Sequence, residues 1–266
     1  MPQRAFAQAW RHRGLILRLA RKELASRLKG SILGWAWLAA APLVMLVVYT
    51  LVFTNVLKIG TAAGKGDPGA YPLFIFSGLV LFQMFAELVL RAPNLLLENA
   101  SYIKKVIFPI EILAWVALAR SLIAGAVSLA LLFAFYLVIR GVPPLATLLL
   151  PLLLVLFAMT MLGIVWLLAA VGVFLRDLSH LLASLMPVLM FVSPIFYSMA
   201  DVPEHLRPLG YLNLLAVFIE AMRSLLFEGS LPSWPLLAAM AIAPVLLFWL
   251  GFAFFTRNRA RFADVV

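Results

Sequence analysis

An all-α, polytopic membrane protein is the fold class this sequence predicts, and three observations predict it. Of its 266 residues, 65% are hydrophobic and only 12% are charged, with a mean hydropathy of +1.08. Several uncharged stretches exceed the ~18 residues at which an apolar run reads as a transmembrane helix. The basic residues, which bring the formal charge to +10, lie mostly between those stretches and at the chain ends. In so apolar a chain they act as topology signals and contacts to anionic lipid, not as a nucleic-acid patch. The chain has no cysteine, which excludes a disulfide framework, thiolate metal sites and cysteine nucleophiles.

The whole of 1–266 reads as one transmembrane domain. Residues 1–30 carry eight basic side chains, Arg11, Arg18, Arg21 and Lys22 among them, against Glu23 alone. At about 100° per residue, Ile16, Leu17, Ala20, Leu24 and Leu28 share one face. Arg11, Arg18, Arg21, Lys22 and Lys29 share the other, and Arg27 intrudes on the apolar side. This pattern predicts an amphipathic helix lying in the headgroup plane. Its charged region is too long, and the apolar run after it too extended, for a signal peptide.

Six spans follow, at about 31–57, 72–91, 110–139, 145–175, 181–199 and 235–256. The third and fourth exceed the ~20 residues a bilayer needs, so they tilt or extend beyond it. Six crossings put both termini on one side. Fifteen lysines and arginines fall on that side against five on the other, which places both ends in the cytoplasm.

Two connections are unlike ordinary loops. Residues 94–109 carry Glu98, Asn99, Ser101, Tyr102, Lys104 and Lys105 between two apolar runs. They read as a short amphipathic helix at the cytoplasmic membrane face, placed to receive force from a soluble partner. Residues 200–234 interleave Asp201, Glu204, Arg207, Glu220, Arg223 and Glu228 with apolar pieces too short to cross. Such pieces read as re-entrant, and irregular backbone at that depth must be buried in protein or line a wet cavity. A re-entrant helical pair is expected there, at the pore mouth and on the side away from the N-terminus.

Little in the sequence supports an enzyme. The glycine run at 60–66 has three residues between its first two glycines, no Ser or Thr after Lys65 and no flanking strand, so it is not a phosphate loop. His12, His180 and His205 are scattered, so no metal site is expected. Ionisable residues inside spans mark function by default, and there are two. Glu87 stands four residues before Arg91, a local helical pair, while Arg120 on the third span is an alternative partner. Ala117, Ser121 and Gly125 repeat at four-residue spacing, which favours close helix packing. Aromatic residues gather at the outer ends of spans. Tyr49, Phe53, Phe196 and Tyr197 belong to an interfacial belt or, where they face a pore, offer ring faces over which sugars slide.

Glu98-Asn99-Ala100-Ser101-Tyr102-Ile103-Lys104-Lys105-Val106-Ile107-Phe108-Pro109-Ile110-Glu111 and Phe174-Leu175-Arg176-Asp177-Leu178-Ser179-His180 carry a wider likeness. Tyr211-Leu212-Asn213, Glu220-Ala221-Met222-Arg223 and the tail from Phe262 add to it. Over nearly its whole length the chain resembles the permease subunit of ATP-binding-cassette exporters for polysaccharides such as O-antigen, capsule and teichoic acid. Leu214 departs from the proline often found after the asparagine in such proteins.

The resemblance implies a homodimer with its pore on the two-fold axis, bound to two cytoplasmic ATPase subunits that hold the ATP and Mg. This chain would hold no cofactor itself. Residues 94–109 would be the coupling helix, with Glu98, Asn99, Tyr102, Lys105, Arg176 and Asp177 meeting the ATPase. The basic residues Arg11, Arg18, Arg21 and Lys22 would meet a lipid-linked pyrophosphate at the portal. The cargo would be an undecaprenyl-linked polysaccharide crossing the bacterial inner membrane. A related permease for a drug or simple lipid is the alternative. A lipid-modifying enzyme would need acidic or histidine clusters at the membrane face, and an ion-coupled transporter more buried carboxylates.

Overall fold

The computed structural model describes residues 2–52, 70–103 and 108–265, all of them helix, turn or coil. Two helices open the chain, α1 (Pro2–Arg11) and α2 (Arg13–Leu28), divided at His12. They are followed by α3 (Trp37–Thr50), α4 (Ala70–Arg91), the one-turn helices α5 (Leu95–Glu98) and α6 (Ala100–Ile103), and α7 (Ile112–Arg140). The chain continues through α8 (Leu150–Gly172), α9 (Leu178–Val192), α10 (Arg207–Leu212), α11 (Leu214–Arg223) and α12 (Trp234–Val265).

Four stretches among these are long and apolar enough to cross a membrane: Tyr71–Glu98, Ile112–Arg140, Leu145–Gly172 and Trp234–Phe262. The chain is a polytopic, all-helical membrane protein. The other two expected spans differ in length from expectation. The helix at 31–57 begins only at Trp37, because Gly30 and Gly34 take positive φ values of 85° and 47° and keep the chain in turns. Its residues from 53 onward lie outside those described. The expected span 181–199 is helical only as α9, which leaves helix at Ser193 before Pro194. Fifteen residues reach roughly 22 Å, short of the ~30 Å hydrocarbon core.

The core is held by close backbone approaches. A Cβ at Gly251 would lie 2.1 Å from the carbonyl oxygen of Gly163, and one at Gly163 would lie 2.3 Å from that of Leu247. The axes of α8 and α12 therefore close to a distance only glycine permits. Trp166 fills the space beside that crossing, edge-on to Phe248 and Phe252. The small-residue stripe on α7 also packs. Ala117 and Ser121 are buried, and Gly125 lies against the Met84 side chain of α4.

The amphipathic start is two helices, not one, and α2 is seated on protein. Ile16, Ala20 and Leu24 are buried, the first two against Ile112 and Val116 of α7. Leu17, placed on the same face by the sequence, is 47% exposed, because the contact with a single helix covers a narrower arc than the pattern. The last helix runs past the expected end at 256, so Arg257, Arg259 and Arg261 ride on helix.

The 200–234 segment holds two helices at the end of the bundle away from α2. Here α10 is largely exposed and α11 is buried from Leu215 to Ile219. Asn213 forms the joint between them. Its Oδ1 accepts from Leu215 N at 3.1 Å and its Nδ2 donates to Ser193 Oγ at 2.8 Å. That side-chain cap defines the joint without proline at 214.

Arg223, 3% exposed, knots this end together. It donates to the carbonyls of Pro194, Ile195, Tyr197 and Phe74, and its guanidinium lies 3.4 Å from the Phe74 ring centroid. The broken backbone after α9 exposes the first three of these carbonyls, and a planar guanidinium has the donors to satisfy them. Burial pushes Arg223 down to about 10, opposed by Glu220 at 3.3 Å, so it stays cationic at neutral pH.

Candidate functional site

The residues that follow α4 build a platform at the end of the bundle where α2 lies. Ala92–Asn94 form a 3-10 turn packed so closely on α8 that a Cβ at Gly172 would lie 2.3 Å from the carbonyl oxygen of Pro93. Leu95 and Leu96 are buried, while Glu98 and Ser101 face outward. The expected single helix over 94–109 is broken at Asn99, whose Nδ2 donates back to the Leu95 carbonyl at 2.9 Å and closes α5. Tyr102 stacks on Phe108 at 4.8 Å between centroids, which folds the two ends of the linker onto each other. Lys104 and Lys105 lie outside the described residues.

Ion pairs tie this platform to the rest of the bundle. Arg91, the last residue of α4, donates to Glu23 of α2 at 2.6 Å and to Glu98 at 3.4 Å. One guanidinium thus joins the basic N-terminal helix to the linker. Glu87, for which the sequence offers two partners, accepts from Arg120 of α7 at 2.7 Å. At the start of α7, Glu111 is buried and accepts from Arg259 of α12 at 2.8 Å, while its backbone carbonyl accepts from the Trp166 indole at 3.2 Å. The Glu23–Arg91 and Glu111–Arg259 pairs are absent from the sequence reading. Glu23 had a visible signal as the lone acid among eight basic residues; Glu111 had only its place at the head of an apolar run.

Arg176 and Asp177 occupy the exposed turn between α8 and α9. The Gly172–Pro93 approach brings that turn beside the 92–103 segment, and Phe174 lies 6.2 Å from Phe262 of α12. Arg11, Arg18, Arg21 and Lys22 are exposed on α1 and α2. Glu98, Asn99, Tyr102, Arg176 and Asp177 therefore share one end of the molecule with the basic helix. Among the described residues, no three His, Cys, Asp or Glu side chains could hold a metal ion. Chemically the arrangement is a charged, partly exposed rim on a buried apolar seat.

The family model described as ABC-2 type transporter matches residues 14–227, most of the chain and nearly all of this platform. The chain belongs to the ABC-2 type transporter family. It is similar to the O-antigen export system permease protein RfbA of Myxococcus xanthus, 27% identical over 99% of both chains. Two proteins of the same name from Klebsiella pneumoniae are 25% and 24% identical, each over 95% of both chains. In this ABC-2 transporter the Arg259 end of the Glu111 pair lies beyond the matched region, on the tail of α12.

The aromatic residues singled out in the sequence lie at the opposite end. Tyr49 and Phe196 meet at 5.9 Å between centroids, and Phe191 lies 5.7 Å from Phe196. The Tyr197 hydroxyl donates to the carbonyls of Val192 and Phe191, which frees only its ring for other contacts. Phe53 lies outside the described residues. The belt is thus partly a structural cluster around the break after α9.

Proposed function

We propose that the chain is the channel-forming permease subunit of an ATP-driven exporter, moving polysaccharide such as O-antigen across the bacterial inner membrane. Likeness over 95% or more of the chain to three proteins named as O-antigen export permeases carries this reading. In it the polysaccharide is linked to undecaprenyl pyrophosphate, and two copies of the chain enclose the passage. The chain crosses six times: the four long stretches, and α3 and α9. The 193–197 backbone extends α9, with Ser193 and Ile195 buried in protein as a non-helical segment at that depth requires. Both termini are cytoplasmic, in keeping with the excess of basic residues on that side.

ATP and Mg reside on two separate ATPase subunits. These seat on Glu98, Asn99, Tyr102, Lys105, Arg176 and Asp177, while Arg11, Arg18, Arg21 and Lys22 receive the lipid pyrophosphate. The experiment is reconstitution of the exporter with Glu98→Ala and Tyr102→Ala together. Polysaccharide export should fall at least tenfold while the ATPase still hydrolyses ATP. Undiminished export removes the coupling role. A small amphiphile that co-purifies in place of a sugar chain favours the drug or lipid permease instead.

A further inference from the structure

A cavity of about 590 Å³ opens between α3, α4 and α7, within the ~300–1,000 Å³ range of small-molecule sites. Its wall on α7 consists of small side chains alone, Ser121, Ala124, Gly125 and Ser128, at the spacing of one helix face. Such a stripe ordinarily draws a neighbouring helix close. Here α4 closes on Gly125 through Met84, but Leu38 and Pro42 of α3 form the far wall.

Two of the polar groups lining this cavity are unused by the protein, and a third is barely used. Ser128, near the middle of α7 and 8% exposed, makes no hydrogen bond among the described residues, nor does the Gln83 amide. Ser121 Oγ reaches the Met84 carbonyl only at 3.5 Å. Glu87 is the one charged side chain in the lining, and Arg120 neutralises it at 2.7 Å. At the rim Trp37 is half-exposed, and its Nε1 donates to Ser31 Oγ at 2.7 Å, so it offers a ring face. Between Ser121 and Ser128 the helix rises roughly 10 Å.

We infer that this cavity binds an uncharged, hydroxyl-rich chain: in the reading above, on which this inference rests, a run of sugar units of the cargo. A lipid chain in the cavity would leave the Gln83 amide and Ser128 hydroxyl unpaired at membrane depth, which is costly. An ionic ligand finds no net charge to answer it. Sugar units meet both kinds of wall, with hydroxyls toward Gln83, Ser121 and Ser128 and ring faces toward Trp37 and Leu38. Polar side chains inside spans mark substrate paths for the same reason.

This chain has no native cysteine, so Ser128→Cys gives it a single thiol, followed on this chain alone. In vesicles carrying the complete exporter, a water-soluble methanethiosulfonate should modify it, and polysaccharide cargo should slow that reaction at least fivefold. Ser128→Leu, which fills the cavity with hydrocarbon, should lower export several-fold while the ATPase still turns over. An unreactive thiol means a dry or lipid-filled cavity and overturns the inference. Reaction that cargo does not slow means water alone, and overturns it equally. If the unaltered protein exports no polysaccharide, the functional reading falls and the sugar assignment with it. If it exports normally and the thiol stays unprotected, only this site falls.

Discussion

The two ends of the bundle are tied in different ways. At the end bearing α2, ion pairs between side chains dominate: Arg91 with Glu23 and Glu98, Arg120 with Glu87, and Arg259 with Glu111, beside the Trp166 bond to the Glu111 carbonyl. At the other, side chains mostly grip backbone, beside the Arg223–Glu220 and Asn213–Ser193 pairs. Arg223 holds four carbonyls, Tyr71 donates to that of Phe196, Tyr136 to that of Leu226 and Thr147 to that of Leu225. A pair of side chains can change partners as helices slide, whereas a side chain bonded to a carbonyl fixes the main chain where it stands. From that difference the second end is expected to be the stiffer of the two, a frame for the first.

The strongest way to break that contrast is Arg223→Met. Removing a buried cation leaves four carbonyls and Glu220 without it, at a cost of about 3–5 kcal/mol. The variant should unfold at a much lower temperature in detergent, or accumulate poorly. An unchanged melting temperature would falsify the frame. A smaller effect is expected from Glu87→Gln and Arg120→Met made singly and together. Their coupling should be about 0.5–3 kcal/mol, the range for contacting residues, and strict additivity would show that the partly buried pair contributes no energy of its own.

The smallest effect on stability belongs to Glu98→Gln. Its carboxylate is 50% exposed and lies 3.4 Å from Arg91, so the loss should stay below ~1 kcal/mol. Thermal unfolding should scarcely change. If it drops by several degrees, the platform is structural scaffolding and the contrast between the ends weakens.

Much of this was legible in the sequence because hydropathy and charge act locally. The polar linker after α4, the Arg176–Asp177 turn and the two helices before the last span could all be located from composition. The break of the linker at Asn99 could not, since it depends on whether one amide bonds its own turn or a neighbour. Arg120 needs a partner because a lone charge in a span is costly, but the sequence leaves Glu87 two cations to choose from, Arg91 and Arg120. The role of Arg223 was hidden. Its partners are carbonyls of residues 26 to 149 positions away, and carbonyls carry no mark in a sequence. The shortness of α9 escaped for a related reason, since apolar residues after Pro194 look the same inside a helix and beside one.

The glycine contact between α8 and α12 has a mechanical meaning. Two rods touching main chain to main chain have no compliant side chains between them to absorb a tilt, so they turn as one beam. A push delivered to the loop at 173–177 would swing the arginine-bearing tail of α12 in step. The carboxyl end of the polypeptide then becomes a pointer that reports the position of a turn some eighty residues before it.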